Sequence, residues 1–259
     1  MPFGPPQSEI VLVHGMWGCA ETLDSLACTL REAGYKVHQP TLPLHKSGLS
    51  AAESKDFGSY GIPQYVTWLK AYLEDLQLER PPILVGHSMG GLLVQHLAAQ
   101  LPCCKLVLLA PASPAGINCI TPWGVAATMS ALVSIVKRKP VQRPWIWQLK
   151  HCLLNDFSNS AQQELPAEFL QESIQSYIDI VFWFLQRHRP SAVESEAIQC
   201  PVLLLAGKKD RVIRPGVMRK IARRYPQCTL EFLPEHGHMM VLPERSQEIG
   251  ARLLSWLKN

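Results

Sequence analysis

Short apolar runs alternate along the chain with stretches in which apolar residues recur every three or four positions. Ile10 to Val13, Tyr35 to Gln39, Ile83 to Val85, Leu106 to Leu109, Val202 to Leu205 and Leu230 to Leu233 are bounded apolar runs of strand length. Between them lie amphipathic stretches of helical period. Glu21 to Ala33 is stopped by Gly34, and Gln64 to Leu78 places Val66, Leu69, Leu73 and Leu76 on one face. Gly90 to Leu101 ends at Pro102, and Met218 to Tyr225 and Ser246 to Leu257 complete the series. Strands alternating with helices predict an α/β fold, a mostly parallel sheet of about six strands with helices on both faces.

Between Pro111 and Glu196 the rhythm stops. No strand is predicted there, but two helices are, Val125 to Val136 and Leu165 to Arg187. The second carries Leu170, Ile174, Ile178, Val181 and Leu185 along one stripe, with Ile180, Trp183 and Phe184 on the other side. A helix apolar all round is buried on both sides. Residues 113–196 are therefore expected to form a helical cap, or lid, over the carboxyl edge of the sheet, with residues 1–112 and 197–259 as the core. The plainer alternative is a helical elaboration that only packs.

Composition narrows the function classes. A chain of 259 residues suits one large core, since single cores stop growing near ~250 to 300 residues. At 47% hydrophobic and 18% charged it has a globular balance. The net charge is +4 and the only tight basic run is Lys137, Arg138, Lys139, too little for a nucleic-acid footprint. The eight cysteines are scattered from Cys19 to Cys228, and the proline-rich start, Met1 to Gln7, lacks the basic and hydrophobic blocks of a signal peptide. Reduced cysteines in a cytoplasmic protein are the expectation. No run reaches the ~18 apolar residues of a membrane span, and Val125 to Val136 is too short.

The chemistry gathers at the third strand. Ile83 to Gly91 reads ILVGHSMGG, with Gly86, Ser88 and Gly90 in a G-x-S-x-G pattern between an apolar strand and a helix. A strand that turns abruptly into a helix strains the turn residue, and the flanking glycines avoid Cβ collisions at the turn. The serine hydroxyl is then held clear of the sheet at the positive end of the following helix.

With His14-Gly15 after the first strand, Asp210 after the fifth and Gly237-His238 after the sixth, the chain resembles the α/β-hydrolase superfamily in its small esterase and lipase branch. The resemblance implies an α/β-hydrolase fold and a Ser88, Asp210, His238 triad, with an oxyanion loop after the first strand. The chain departs from the usual pattern in two places. Only eight residues precede Glu9, so the sheet is expected to begin at what is elsewhere the third strand, and PTLPLHKSGLSA stands where many relatives carry a glycine-rich acidic turn. Ser88 also argues against the dehalogenases and epoxide hydrolases of this fold, which use aspartate at the elbow.

Each role follows from the chemistry as well. A serine hydroxyl needs a base to take its proton as it attacks a carbonyl, and a third group to orient that base. His238 is preferred over His236 because the resemblance favours a histidine directly after glycine, with an acid, here Glu244, several positions later. The oxyanion needs two amides, those of Met89 and Met16, with Trp17 the competitor for the second. His14 and His87 are expected as buried support. A pocket lined by Trp17, by Met129, Leu132 and Val133, and by Val181, Phe182 and Leu185 would take a small apolar ester. The expected activity is therefore carboxylic ester hydrolysis of the carboxylesterase and lipase type, through an acyl-enzyme and without cofactor or metal. The alternatives are acyl transfer or lyase chemistry on the same triad, a non-catalytic binding protein, and a metal site at His236 and His238 that lacks further ligands.

Overall fold

A computed structural model describes residues 8–258; Met1 to Gln7, read above as free of a leader, lie outside the described residues. In chain order the strands are β1 (Ile10–Val13), β2 (Val37–His38), β3 (Ile83–His87), β4 (Lys105–Leu109), β5 (Val141–Gln142), β6 (Glu172–Ser173), β7 (Val202–Gly207) and β8 (Cys228–Leu233). Six of them form one parallel sheet in the order β2-β1-β3-β4-β7-β8. The central strands β1, β3, β4 and β7 are apolar runs buried almost end to end, as strands covered on both faces must be. The second strand shrinks from the expected five residues to two at the sheet's edge, where only β1 pairs with it.

The core helices are α1 (Asp24–Glu32), α2 (Ala51–Phe57), α3 (Ile62–Asp75), α4 (Met89–Gln100), α10 (Pro215–Ala222) and α11 (Pro243–Leu257). α1 packs on α11, with the Ser25 and Ser246 hydroxyls 2.6 Å apart, and α3 packs on α4. α2 was absent from the predicted elements, although its start carries a legible signal. The Ser50 hydroxyl accepts from the Glu53 amide at 3.2 Å, and the Glu53 carboxylate accepts from the Ser50 amide at 2.9 Å, a capping box.

The insertion between β4 and β7 differs most from expectation. It holds α5 (Pro122–Ala127), α6 (Met129–Val136), α7 (Ile146–Gln148), α8 (Ala161–Glu164) and α9 (Ile174–Val181). The single helix predicted over Val125 to Val136 is broken at Thr128, whose hydroxyl donates to the Gly124 carbonyl at 2.8 Å and whose backbone leaves helical angles. The long helix predicted over Leu165 to Arg187 is helical in the α sense only from Ile174 to Val181. Before it the chain runs extended, and β6 pairs antiparallel with β5 in a stretch where no strand was expected. No described helix is long and apolar enough to cross a membrane.

A buried polar cluster fastens the insertion to the core. Glu172 of β6 is fully buried and accepts from the Tyr65 hydroxyl at 2.8 Å, the Ser176 hydroxyl at 3.1 Å and the Ser173 amide at 2.8 Å. Its other oxygen lies 3.0 Å from Nε2 of the buried His45, whose Nδ1 faces the Pro43 carbonyl at 3.1 Å. Both imidazole nitrogens thus face acceptors. Nearby, the Asp179 carboxylate caps α3 by accepting from the Ile62 amide at 2.9 Å, and burial raises its pKa from the ordinary value. Removing Glu172 would strand several buried donors, the Tyr65 and Ser176 hydroxyls among them, at about 1–3 kcal/mol each and so about 3–5 kcal/mol in all. Glu172→Ala is therefore expected to lower unfolding free energy by that amount in a urea titration, and a loss within ~0.5 kcal/mol, as at an ordinary surface site, would contradict the role assigned to the cluster.

Candidate active site

The elbow is built where β3 meets α4. Ser88 sits between them at φ 52° and ψ −118°, a conformation most residues avoid. Its amide donates to the Leu109 carbonyl at 3.0 Å, and its own carbonyl accepts from Ala112 at 2.8 Å and Leu92 at 3.2 Å. A Cβ at Gly86 would overlap the Gly90 carbonyl, and one at Gly90 would overlap the carbonyls of Val13 and His14. The two glycines are therefore required by close backbone approach.

His238 and Asp210 arrive from the turns after β8 and β7, at the same edge of the sheet. Asp210 is buried, and one carboxylate oxygen accepts from the amides of Val212 at 2.7 Å and Ile213 at 2.8 Å. The other lies 2.9 Å from His238 Nδ1. A carboxylate only accepts, so Nδ1 carries the imidazole proton and Nε2 is left as an acceptor. Nε2 stands 3.0 Å from the Ser88 Oγ, so the hydroxyl donates to it. His236 lies elsewhere: its Nε2 is 3.4 Å from the Arg245 carbonyl and 3.8 Å from Glu248, and it has no contact with Ser88.

Two further histidines brace the site. His87 Nε2 donates to the His238 carbonyl at 2.9 Å, and burial pushes the His87 pKa down to about 3, with the nearby His238 ring adding to the effect. It is a neutral support. His14 Nε2 accepts from the Leu42 amide at 3.0 Å, which leaves its proton on Nδ1 for the Gly15 carbonyl at 2.8 Å. Burial, with His45 nearby, lowers the His14 pKa well below the ordinary imidazole range. The loop it braces turns tightly, with the Gly18 amide on the Gly15 carbonyl at 3.3 Å and Trp17 at φ 62°. Among the described residues, neither the Met16 nor the Met89 amide donates to a backbone acceptor outside the regular elements, and both residues line the cavity beside Ser88.

That cavity encloses about 240 Å³. Of the residues expected to line it, Trp17, Leu132, Val181 and Phe182 do. Met129, Val133 and Leu185 do not. On the helical segment Val125, Thr128 and Leu132 share the inward face, and Met129 and Val133, each one residue further, are turned ~100° away. Leu185 lies past the end of α9, where the chain has turned outward, and is 74% exposed. Lining residues that the sequence did not reveal include Cys119, Leu153, Tyr177, Val212, Ile213 and Met239. Val212 and Ile213 follow Asp210 directly, so their proximity was readable; Leu153 and Tyr177 reach the site only through the insertion's fold. No Asp, Glu, Lys or Arg lines the cavity, and the Tyr177 and Thr128 hydroxyls are bonded to each other at 3.0 Å. Among the described residues no group of three His, Cys, Asp or Glu is placed to hold a metal ion.

Comparison with known proteins places the chain in a family. The chain is 24% identical to a pyrethroid hydrolase of Sphingobium wenxiniae over 93% of this chain and 85% of that one. It is 24% identical to the sn-1-specific diacylglycerol lipase of Mus musculus, over 96% of this chain and 80% of the relative. Among solved structures, a methylesterase from Arabidopsis superposes with a TM-score of 0.71 at 20% identity, covering 97% of this chain and 99% of that one, a likeness of fold. The sequence model of the alpha/beta hydrolase family matches residues 10–252, nearly the whole chain, and the protein belongs to that family.

Proposed function

We propose that the protein is a serine hydrolase that cleaves carboxylic esters of apolar substrates through an acyl-enzyme. The observation that carries this reading is the unbroken hydrogen-bond chain from Asp210 through His238 to Ser88, at 2.9 and 3.0 Å. In it Ser88 Oγ attacks the ester carbonyl while His238 Nε2 takes its proton. Asp210, fixed by two backbone amides, holds the imidazole and balances its charge. The Met89 and Met16 amides receive the oxyanion, Met89 at the positive end of α4. His238 then protonates the leaving alcohol, and water repeats the sequence to release the acid. The insertion acts as the cap. Its walls carry no formal charge, so a charged acyl group would lose its hydration without compensation, whereas alkyl or aromatic groups gain from burial. Two relatives, a pyrethroid hydrolase and a diacylglycerol lipase, are named for apolar substrates, which supports this reading.

Ser88→Ala is expected to remove fluorophosphonate labelling and to lower kcat on nitrophenyl esters by about 10⁴-fold or more while leaving the circular dichroism spectrum unchanged. Substantial turnover by the folded variant would overturn the nucleophile assignment.

The two histidines separate by substitution. His238→Ala should lose nearly as much kcat as Ser88→Ala, because nucleophile and base act as a unit. His236→Ala, remote from Ser88, should lose far less. The reverse ranking would refute the base assigned here.

Over a nitrophenyl ester series, kcat/KM should rise from acetate toward hexanoate. Four additional methylenes are worth at most about 3 kcal/mol, an upper limit of ~100-fold before ordering costs. A steady fall from acetate upward would show that the insertion closes the cavity to longer chains.

A further inference from the structure

The large hydrophobic side chains that stand exposed among the described residues all belong to the insertion. Trp145, Ile146 and Trp147 project around the short α7, Ile146 at 65% exposure. Trp123 stands at the start of α5 with the Arg211 guanidinium over its ring at 4.5 Å, and Phe184 and Leu185 just beyond α9; Ile120, also exposed, lines the cavity. These same elements build the cavity wall, α5 through Val125, the helical turn after α7 through Leu153, and α9 through Val181. Gln148 Nε2 donates to the Ala126 carbonyl at 2.9 Å and so holds α7 beside α5. The insertion is therefore apolar on two sides, one facing the cavity and one facing water.

The charge on this segment has one sign. No acidic residue occurs between Glu79 and Asp156, whereas Lys137, Arg138, Lys139, Arg143 and Lys150 all fall there. The first four are exposed, and the exposed tryptophans and isoleucine lie between Arg143 and Lys150. Of the insertion's exposed acids, Glu194 and Glu196 are far from this stretch in sequence, whereas Glu164 and Glu168 flank Pro166 and Ala167, whose carbonyls accept from Arg143 at 3.2 Å, so two carboxylates stand against the five cations. Soluble proteins seldom leave contiguous apolar patches in water unless the patch has a partner. Tryptophan and aliphatic side chains flanked by lysine and arginine match the headgroup boundary of an anionic bilayer, which takes the rings at the interface and the cations on the phosphates.

We propose that the insertion docks on an anionic lipid bilayer, with Trp145, Ile146 and Trp147 at the headgroup boundary and Lys137 to Lys139 on the lipid phosphates. The docked side belongs to the same short elements that wall the cavity. The docking does not rest on the ester-hydrolase reading. The test is sedimentation of the full chain with phosphatidylcholine vesicles made with or without phosphatidylglycerol, beside turnover of a soluble nitrophenyl ester. Partition into the anionic vesicles is expected, weakening with added salt. Replacing Lys137, Arg138 and Lys139 together by Ala should weaken it about a hundredfold, at roughly fivefold per charge. Trp145→Ser with Ile146→Ser should weaken it about tenfold or more, and both variants should keep wild-type turnover of the soluble ester. Absence of partition, or partition indifferent to the Trp145 and Ile146 changes, overturns the proposal; the second result, joined to binding of an acidic protein, would mark a general polyanion site instead. Vesicle binding by a protein that hydrolyses no ester would leave docking standing and remove the ester reading.

Discussion

The approach of one backbone to another at the carboxyl edge of the sheet governs the rest of the site. β1 and β3 pair with Val13 opposite Gly86, so the loop leaving β1 and the elbow leaving β3 emerge side by side. The start of α4 then has to pass under the carbonyls of Val13 and His14, which only a residue without a Cβ allows, and Gly90 is there. From this contact follow the positive φ at Ser88 and the meeting of Met16, Ser88 and Met89 at one cavity. A non-glycine residue held in such a conformation costs on the order of 1–3 kcal/mol. α4 offsets that cost because it is buried nearly all round, ten of its twelve residues having little or no exposure, so the helix cannot slide to relax the turn.

What could be read in advance was what depends on short spacings. The G-x-S-x-G pattern states its own geometry within five residues. Asp210 and His238 could be placed because each follows a recognisable apolar strand, and parallel strands deliver their following turns to one edge. The insertion resisted because its periodicity is real but not decisive. Leu170, Ile174, Ile178, Val181 and Leu185 keep helical spacing, yet the chain is extended before Ser173 and turns outward after Val181. The reason is tertiary: Glu172 must reach His45, 127 residues away in sequence, and β6 must lie against β5. No local signal announces a partner at that distance. A similar limit applies to the cavity wall, since apolar spacing alone did not fix which face of the segment turns inward: Val125, Thr128 and Leu132 line the cavity, and Met129 and Val133, one residue further, face away.

The histidines divide the polar work of the edge by protonation state. His14 and His87 are both held neutral by burial, each spending one ring proton on a carbonyl, that of Gly15 in the loop after β1 and that of His238. His45 stands beside His14, ring centroids 4.9 Å apart, and bonds Glu172 of the insertion. The loop after β1 is thus held by His14, which packs on His45 and through it on the insertion. A chain of contacts of this kind resists small displacements, and a catalytic hydrogen bond loses most of its worth when its donor shifts by about 1 Å.

The insertion's two apolar faces have one physical origin. Its helices run to eight residues at most, and elements that short bury one stripe each without forming a second layer above themselves. One stripe covers the sheet edge and encloses about 240 Å³ around Ser88. Among the described residues nothing lies against the exposed side chains of the opposite side, which in a segment selected only for solubility would be polar. It carries Trp145, Ile146 and Trp147 instead. Exposed aromatic groups lower solubility and add nothing to the packing beneath them, so their presence on the outer face, with cations on either side in sequence, is accounted for under the docking proposal by a partner that supplies both hydrocarbon and negative charge.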